Sequence, residues 1–380
     1  MNPNTTHAAP RLEYLDALRG LAILGVICVH CSIFAGGDII YQRFATAAAN
    51  GVQLFFMVSA FTIFLTLERF KDRETHYVRN FFIRRFFRIL PMFWVGIALY
   101  SFVPMREVTT PPIVVTAFDY ALTAVCLHGF HPYSINSVVP GGWSIGVEAT
   151  FYFLAPFLFC LITGWRRALS FLLGTLLICK IVNKSFDYMY HHHLIWNEVS
   201  ASIYGNFLYW WFPSQLPVFA CGILAYFISS SLPVEFLTRQ NGWLLLATAA
   251  ILIQSAVGVA SLGIIPIPGQ VYFAIGFLFL FLGLKCHPAE VLVNSFTQFF
   301  GKISYSVYLL HFSILLLALK CSQHFAPKLA AHHTAQFLFL FIATVILAIP
   351  AAWLTYKFIE APFISLGSRL VKYSESKPPR

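Results

Sequence analysis

Ten apolar runs, each near 20 residues, follow one another along this 380-residue chain. They fall at about 15–34, 52–69, 89–105, 145–163, 168–183, 206–230, 243–258, 268–285, 303–322 and 335–357. A run of that length matches the roughly 30 Å hydrocarbon core of a bilayer when it is helical. In lipid every backbone polar group must be satisfied within the protein, which leaves helices as the way to place such runs. Composition agrees: 58% of residues are hydrophobic and 11% are charged, against about 25% charged in soluble domains. The expected fold is therefore all-α and polytopic, about ten transmembrane helices around a central polar path. No repeat or low-complexity linker divides the chain, so residues 1–380 are expected to form a single membrane domain, with spans over about 15–357 and a basic tail at 364–380. A weaker segment, 113–127, contains Asp119 and runs into "HGFHP"; it reads as an interfacial or re-entrant piece.

The net charge of +10 could suggest nucleic acid, but its placement argues otherwise. With the amino terminus inside, 19 of the 25 Lys and Arg lie on the inner side, from Arg11 to Lys377 and Arg380. Arg43, Arg106, Lys180, Lys184, Lys320 and Lys328 lie on the other. The positive-inside rule then puts both termini in the cytoplasm and accounts for the basic balance through membrane lipids, without nucleic acid. The polar start, "MNPNTTHAAPRLEYLD", has no apolar core before a small-residue cleavage site, so the first span is expected to serve as the insertion signal. The 8 cysteines are scattered through apolar runs and read as packing residues. That includes Cys28 and Cys31 in "CVHC", which lack the exposure a redox pair needs.

Four stretches carry polar groups where lipid would penalise them. In "LDALRGLAILGVICVH", Arg19 and His30 are 11 residues apart, three helical turns plus about 20°, so they share a face about 16 Å long. Asp16 can pair with Arg19 one turn away. An ionisable group inside a span suggests function; on this helix alone His30 is either part of a path or a satisfied core imidazole. In "RNFFIRRFFRILPMFW", Arg85 and Arg88 share one face of a short surface helix, and Pro91 marks entry into the third span. Guanidinium forks suit phosphate oxygens; positive-inside topology explains the same residues without a ligand. In "PGGWSIGVEATFYFLAP", Trp143 suits the interface. Glu148 lies about 7 Å deeper, where a carboxylate can orient the His30 imidazole or simply pair for structure. In "GKISYSVYLLHF", Tyr305, Tyr308 and His311 recur at spacings of three, turned towards other helices or a wet cavity. For the tyrosines, core hydrogen bonding is the simpler reading.

Taken together, these stretches resemble the membrane acyltransferase-3 family. The resemblance covers about residues 11–365: Arg19, ten residues, then His30; Arg85-x-x-Arg88; Trp143 and Ser144 followed by Glu148, Phe151 and Tyr152; then "ISYSVYLLH" and "IEAPF". It implies an O-acyltransferase that moves an acyl group, commonly acetyl, from cytoplasmic acyl-CoA to an extracytoplasmic glycan hydroxyl, such as lipopolysaccharide O-antigen or another surface polysaccharide. The implied place is the bacterial inner membrane. His30, Glu148 and Arg19 would be catalytic, and Arg85 and Arg88 would bind the acyl-CoA. Asp16, Trp143, Ser144, Tyr305 and His311 would support them. Acetyl-CoA is then a donor substrate, and neither a permanent cofactor nor a metal is expected. Many relatives add an extracytoplasmic esterase-like domain; a stand-alone form is expected here. A proton-coupled small-molecule or glycolipid transporter is the competing class, since buried His, Glu and Arg suit one as well. Consecutive histidines rarely converge on one ion, so His191–His193 read as a solvated loop. His128 and His131 are candidates for the outer mouth.

Overall fold

In a computed structural model, the protein is described over residues 12–36, 45, 47–103, 114–262, 268–330 and 332–376. Arg11, Arg43, Arg106, Lys377 and Arg380, which carry part of the expected charge asymmetry, lie outside these residues. The described residues form helices and no strands. In chain order the helices are α1 (Glu13–Ala35), α2 (Gly51–Lys71), α3 (Tyr77–Phe102), α4 (Ala117–Ala124), α5 (Trp143–Leu161), α6 (Trp165–His191) and α7 (Ala201–Trp210). They continue with α8 (Phe212–Ser231), α9 (Arg239–Leu262), α10 (Gly269–Cys286), α11 (Ser295–Phe325), α12 (His333–Thr355) and α13 (Ala361–Glu375).

Nine helical stretches among the described residues are long and apolar enough to cross a membrane, so the chain is an all-α polytopic membrane protein. That is one fewer than the ten runs read from sequence. The difference lies in α3. Residues 89–102, the described part of the expected third span, do not start a separate span after a short surface helix. They continue one 26-residue helix from Tyr77, through Pro91, whose first half carries Arg79, Arg84, Arg85 and Arg88. In the turn around the proline, the Tyr305 hydroxyl of α11 donates to the carbonyl of Ile89 at 2.8 Å. The run 206–230 likewise breaks at Trp211 into α7 and α8.

Helix α1 lies along α11, α2 sits beside α1 and α8, and α12 backs α1 and α11. These central helices bury small and apolar side chains. By contrast, α6 turns Leu173, Leu177 and Ile181 outward, as a lipid-facing helix should. The α1–α11 contact is backbone on backbone. A Cβ added at Gly20 would lie 1.9 Å from the Thr297 carbonyl oxygen, and one at Gly301 would lie 1.8 Å from that of Asp16. Small residues at a crossing point allow this approach in membranes.

Beyond α12 the chain makes a single π turn, Tyr356–Glu360, and enters α13. The first 12 residues of the expected tail are thus part of a helix, packed against α3. At its end Glu375 accepts from the Thr75 amide (2.9 Å), the His76 amide (3.2 Å) and the Asn80 side chain (2.7 Å). Glu74 pairs with Arg84 at the same place.

Residues 117–124 form a two-turn helix rather than a span. Thr116 and Asp119 make its capping box, a reciprocal satisfaction of the first amides. Burial pushes the Asp119 carboxyl up. Hydrogen bonds from Ser134 and Thr116, with His131 nearby, outweigh that and hold it below its ordinary value. A carboxylate with a depressed folded pKa contributes stability that is present above its unfolded value, about 4, and lost as pH falls through the folded value. Thermal melts in detergent should therefore show a loss of midpoint below about pH 4 that is smaller in an Asp119→Asn variant. Equal slopes in both proteins would contradict this.

Candidate functional site

Polar side chains from five helices meet in one chamber of about 80 Å³. Helix α1 contributes Arg19; α2, Ser59 and Thr62; α3, Arg85 and Arg88; α5, Ser144, Glu148 and Tyr152; α11, Ser304, Tyr305 and Tyr308. The local pattern explains the convergence. Ser144, Glu148 and Tyr152 recur every four residues, and Arg85 and Arg88 are three apart, so each set occupies one face of its helix.

The chamber holds three guanidinium groups. Arg19 lies 3.6 Å from Asp16 and donates to the Thr62 hydroxyl at 3.2 Å. The Arg85 guanidinium sits over the rings of Phe81 (5.4 Å) and Tyr152 (5.3 Å). Glu148 is the carboxylate in the lining. One of its oxygens accepts from Ser59 at 2.5 Å and from Tyr152 at 2.6 Å. Two hydroxyl donors on one oxygen hold the carboxylate in place and satisfy it where water is scarce. An excess of fixed positive charge in a cleft favours an anionic ligand.

Tyr308 is part of the chamber wall. Its hydroxyl donates to the Gly141 carbonyl (2.8 Å) and meets Ser144 Oγ (2.8 Å). Gly141 has φ +77°, and a Cβ there would come within 2.9 Å of that hydroxyl. The turn therefore needs glycine. One turn further along α11, His311 Nδ1 meets the Tyr308 carbonyl at 2.6 Å, and its Nε2 lies 3.1 Å from His30 Nδ1. Phe312 packs on both rings, 4.3 Å from His30 and 4.4 Å from His311 between ring centres.

Three sequence expectations change here. Glu148 does not orient His30; its partners are Ser59 and Tyr152, and it faces the arginines. The ring beside His30 is His311, supplied by a different helix. Trp143 is not an interfacial anchor: it is 7% exposed, edge-on to Phe56 and stacked on Trp210. The polar path is also interrupted. His30 and His311 are not part of the chamber wall; Tyr308 is, and its carbonyl meets His311. Tyr305 and Tyr308 are both in the lining and both bonded to backbone carbonyls.

Sequence reading missed Ser59, Thr62 and Ser304 as site residues, and named Tyr152 only as part of the family signature. Hydroxyls in apolar helices commonly bond back to their own carbonyls, as Thr66 does to Thr62 at 2.6 Å, so they gave no separate signal. Of the outer candidates, His128 is buried beneath the turn, bonded to the Gly142 carbonyl at 2.9 Å. His131 lies beside Tyr133 and Trp196. Neither lines the chamber. The run His191–His193 is exposed, with His191 3.6 Å from Asp187 and His192 stacked on Tyr188.

Residues 12–356 match a family described as an acyltransferase domain, acyltransferase-3. The chain belongs to the acyltransferase-3 family. It is a polytopic membrane member of that family. Among similar proteins, a candidate O-acetyltransferase of Staphylococcus aureus (strain MRSA252) is 24% identical over 391 residues, covering 96% of this chain and 59% of that protein. The peptidoglycan O-acetyltransferase OatA of Listeria monocytogenes is 24% identical over 177 residues, 44% of this chain and 27% of OatA. Nodulation protein 10 of Rhizobium leguminosarum bv. viciae is 24% identical over 288 residues, 62% of this chain and 75% of that protein. This acyltransferase-3 chain thus spans about 59% of the length of the staphylococcal relatives it matches. No solved structure matches it.

Proposed function

We propose that this protein moves an acyl group, acetyl by the example of its relatives, from cytoplasmic acyl-CoA to a hydroxyl of an extracytoplasmic glycan. The observation that carries this reading is the convergence of Arg19, Arg85 and Arg88 on one cavity beside Glu148. Guanidinium groups match the phosphates of a coenzyme A thioester. Relatives named as O-acetyltransferases, one of them acting on peptidoglycan, support oxygen as the acceptor atom and a surface glycan as the acceptor class. The proposed place is the bacterial inner membrane, with the arginine-rich end towards the cytoplasm.

In the proposed reaction Arg85 and Arg88 bind the donor phosphates, and Arg19 steadies the inner mouth with Asp16. The acceptor oxygen bonds to the thioester carbonyl carbon as its proton passes to His30; the carbon–sulfur bond breaks, and the departing thiolate takes that proton. A transient acyl group on the imidazole would serve the same overall exchange. Purified protein in liposomes, given labelled acetyl-CoA and a soluble glycan acceptor, should yield an acetyl ester detectable by mass. No ester with any glycan hydroxyl would overturn the assignment. Arg85→Ala and Arg88→Ala should each raise the KM for acetyl-CoA roughly ten- to hundredfold, the worth of one charge-assisted contact. An unchanged KM would return the pair to a purely topological role.

A further inference from the structure

We infer that His311 is a positioning residue that fixes the tautomer of His30 and leaves Nε2 of His30 as its reactive nitrogen. The argument rests on which atoms can donate. His311 Nδ1 lies 2.6 Å from the carbonyl oxygen of Tyr308. A carbonyl only accepts, so the proton is on His311 Nδ1. The neutral ring then has a lone pair at Nε2, and that atom lies 3.1 Å from His30 Nδ1. For the contact to be a hydrogen bond, His30 must donate from Nδ1. A neutral imidazole carries one N–H, so His30 Nε2 is left with its lone pair exposed for proton or acyl transfer.

The alternative is a charged His311 that donates from both nitrogens and reverses the tautomer of His30. The surroundings oppose it. Among the described residues the two rings meet the backbone of Tyr308 and Val307 (His311) and of Val26 (His30), the rings of Phe312 and Tyr308, and each other; none of these partners is a carboxylate. A cation so placed within a membrane helix is costly. The chain backbone carbonyl, His311, His30 is the arrangement by which one group sets the protonated nitrogen of the next. Here a histidine takes the part that the sequence suggested for Glu148, and it can do so without bringing a negative charge into the membrane.

The inference rests on His30 acting in acyl transfer, but its first test does not. Nitrogen-15 spectra of histidine-labelled protein in detergent, with His30→Ala and His311→Gln used for assignment, should show His30 with a protonated Nδ1 and a bare Nε2. The opposite tautomer would overturn the inference whatever the activity. The second test is kinetic. His311→Gln places an amide oxygen where Nε2 stood and can accept from His30; it should keep kcat within about tenfold of the parent protein. His311→Leu fills similar space with no acceptor and should lower kcat about a hundredfold or more, the scale of misdirected general-base catalysis. KM for acetyl-CoA should stay unchanged in both, since His311 is outside the arginine chamber. Equal kcat for the Gln and Leu variants would show that His311 only fills space. A wild-type spectrum with the expected tautomer, alongside a fully active His30→Ala variant, would instead overturn the proposed function and leave the hydrogen-bond assignment standing.

Discussion

Substituting His30 by Ala should lower acyl transfer by about 10³-fold, while the protein still inserts and purifies as the parent does. A positioned general base is worth about 10² to 10⁴ in rate. Losing the ring also removes any acyl carrier at that place, so no partial route through the imidazole remains. The fold should tolerate the change. His30 is only partly buried, and its hydrogen-bond partners are His311 and the Val26 backbone rather than charged groups. What remains beside Phe312 is a small gap next to a second imidazole that keeps its own carbonyl partner. The measurement is ester formation per mole of purified protein, paired with a thermal melt in the same detergent. Wild-type turnover in His30→Ala would remove the imidazole from the mechanism.

The second large effect is expected at the crossing of α1 and α11. Gly301→Leu should abolish the native packing, costing about 3 kcal/mol or more, the upper end of overpacking effects. The added Cβ would fall 1.8 Å from the Asp16 carbonyl oxygen. That neighbour is backbone and cannot rotate away. Relief requires separating the two helices, and the same two helices carry Arg19 and His30 on one side and Tyr305, Tyr308 and His311 on the other. Thermal midpoint and activity should therefore fall together. Gly174→Leu in α6 is the control: an added Cβ there has no neighbour within 4 Å, so its midpoint should stay near that of the parent. A Gly301→Leu protein as stable as the control would show that the contact is not needed.

Much of the fold was legible in sequence because lipid imposes simple rules. An apolar run of sufficient length must be helical, and the runs beginning near 15, 52, 145 and 268 appear as α1, α2, α5 and α10 within a few residues. The failures came where a helix carries charge. Hydrophobicity starts a span at residue 89, but the helix starts at Tyr77, because its arginines face a chamber and other polar groups instead of lipid. The site was legible within each helix and not between helices. Spacing put Arg85 with Arg88, and Arg19 with His30. It could not show that Ser59 of α2 would hold Glu148 of α5, or that His311 and not Glu148 would reach His30. Those are facts of packing between segments far apart in sequence, and local periodicity carries no information about them.

The enclosure of the arginine-lined chamber by five helices has a kinetic consequence. On the proposed reaction, donor and acceptor must both reach side chains walled in by five packed helices. Helix displacement, on the micro- to millisecond scale of such rearrangements, then belongs to the proposed cycle. Turnover is thereby coupled to the mechanics of the bilayer. The thickness and stiffness of the lipid matrix, which resist or assist helix displacement, become determinants of speed alongside the chemistry of the imidazole.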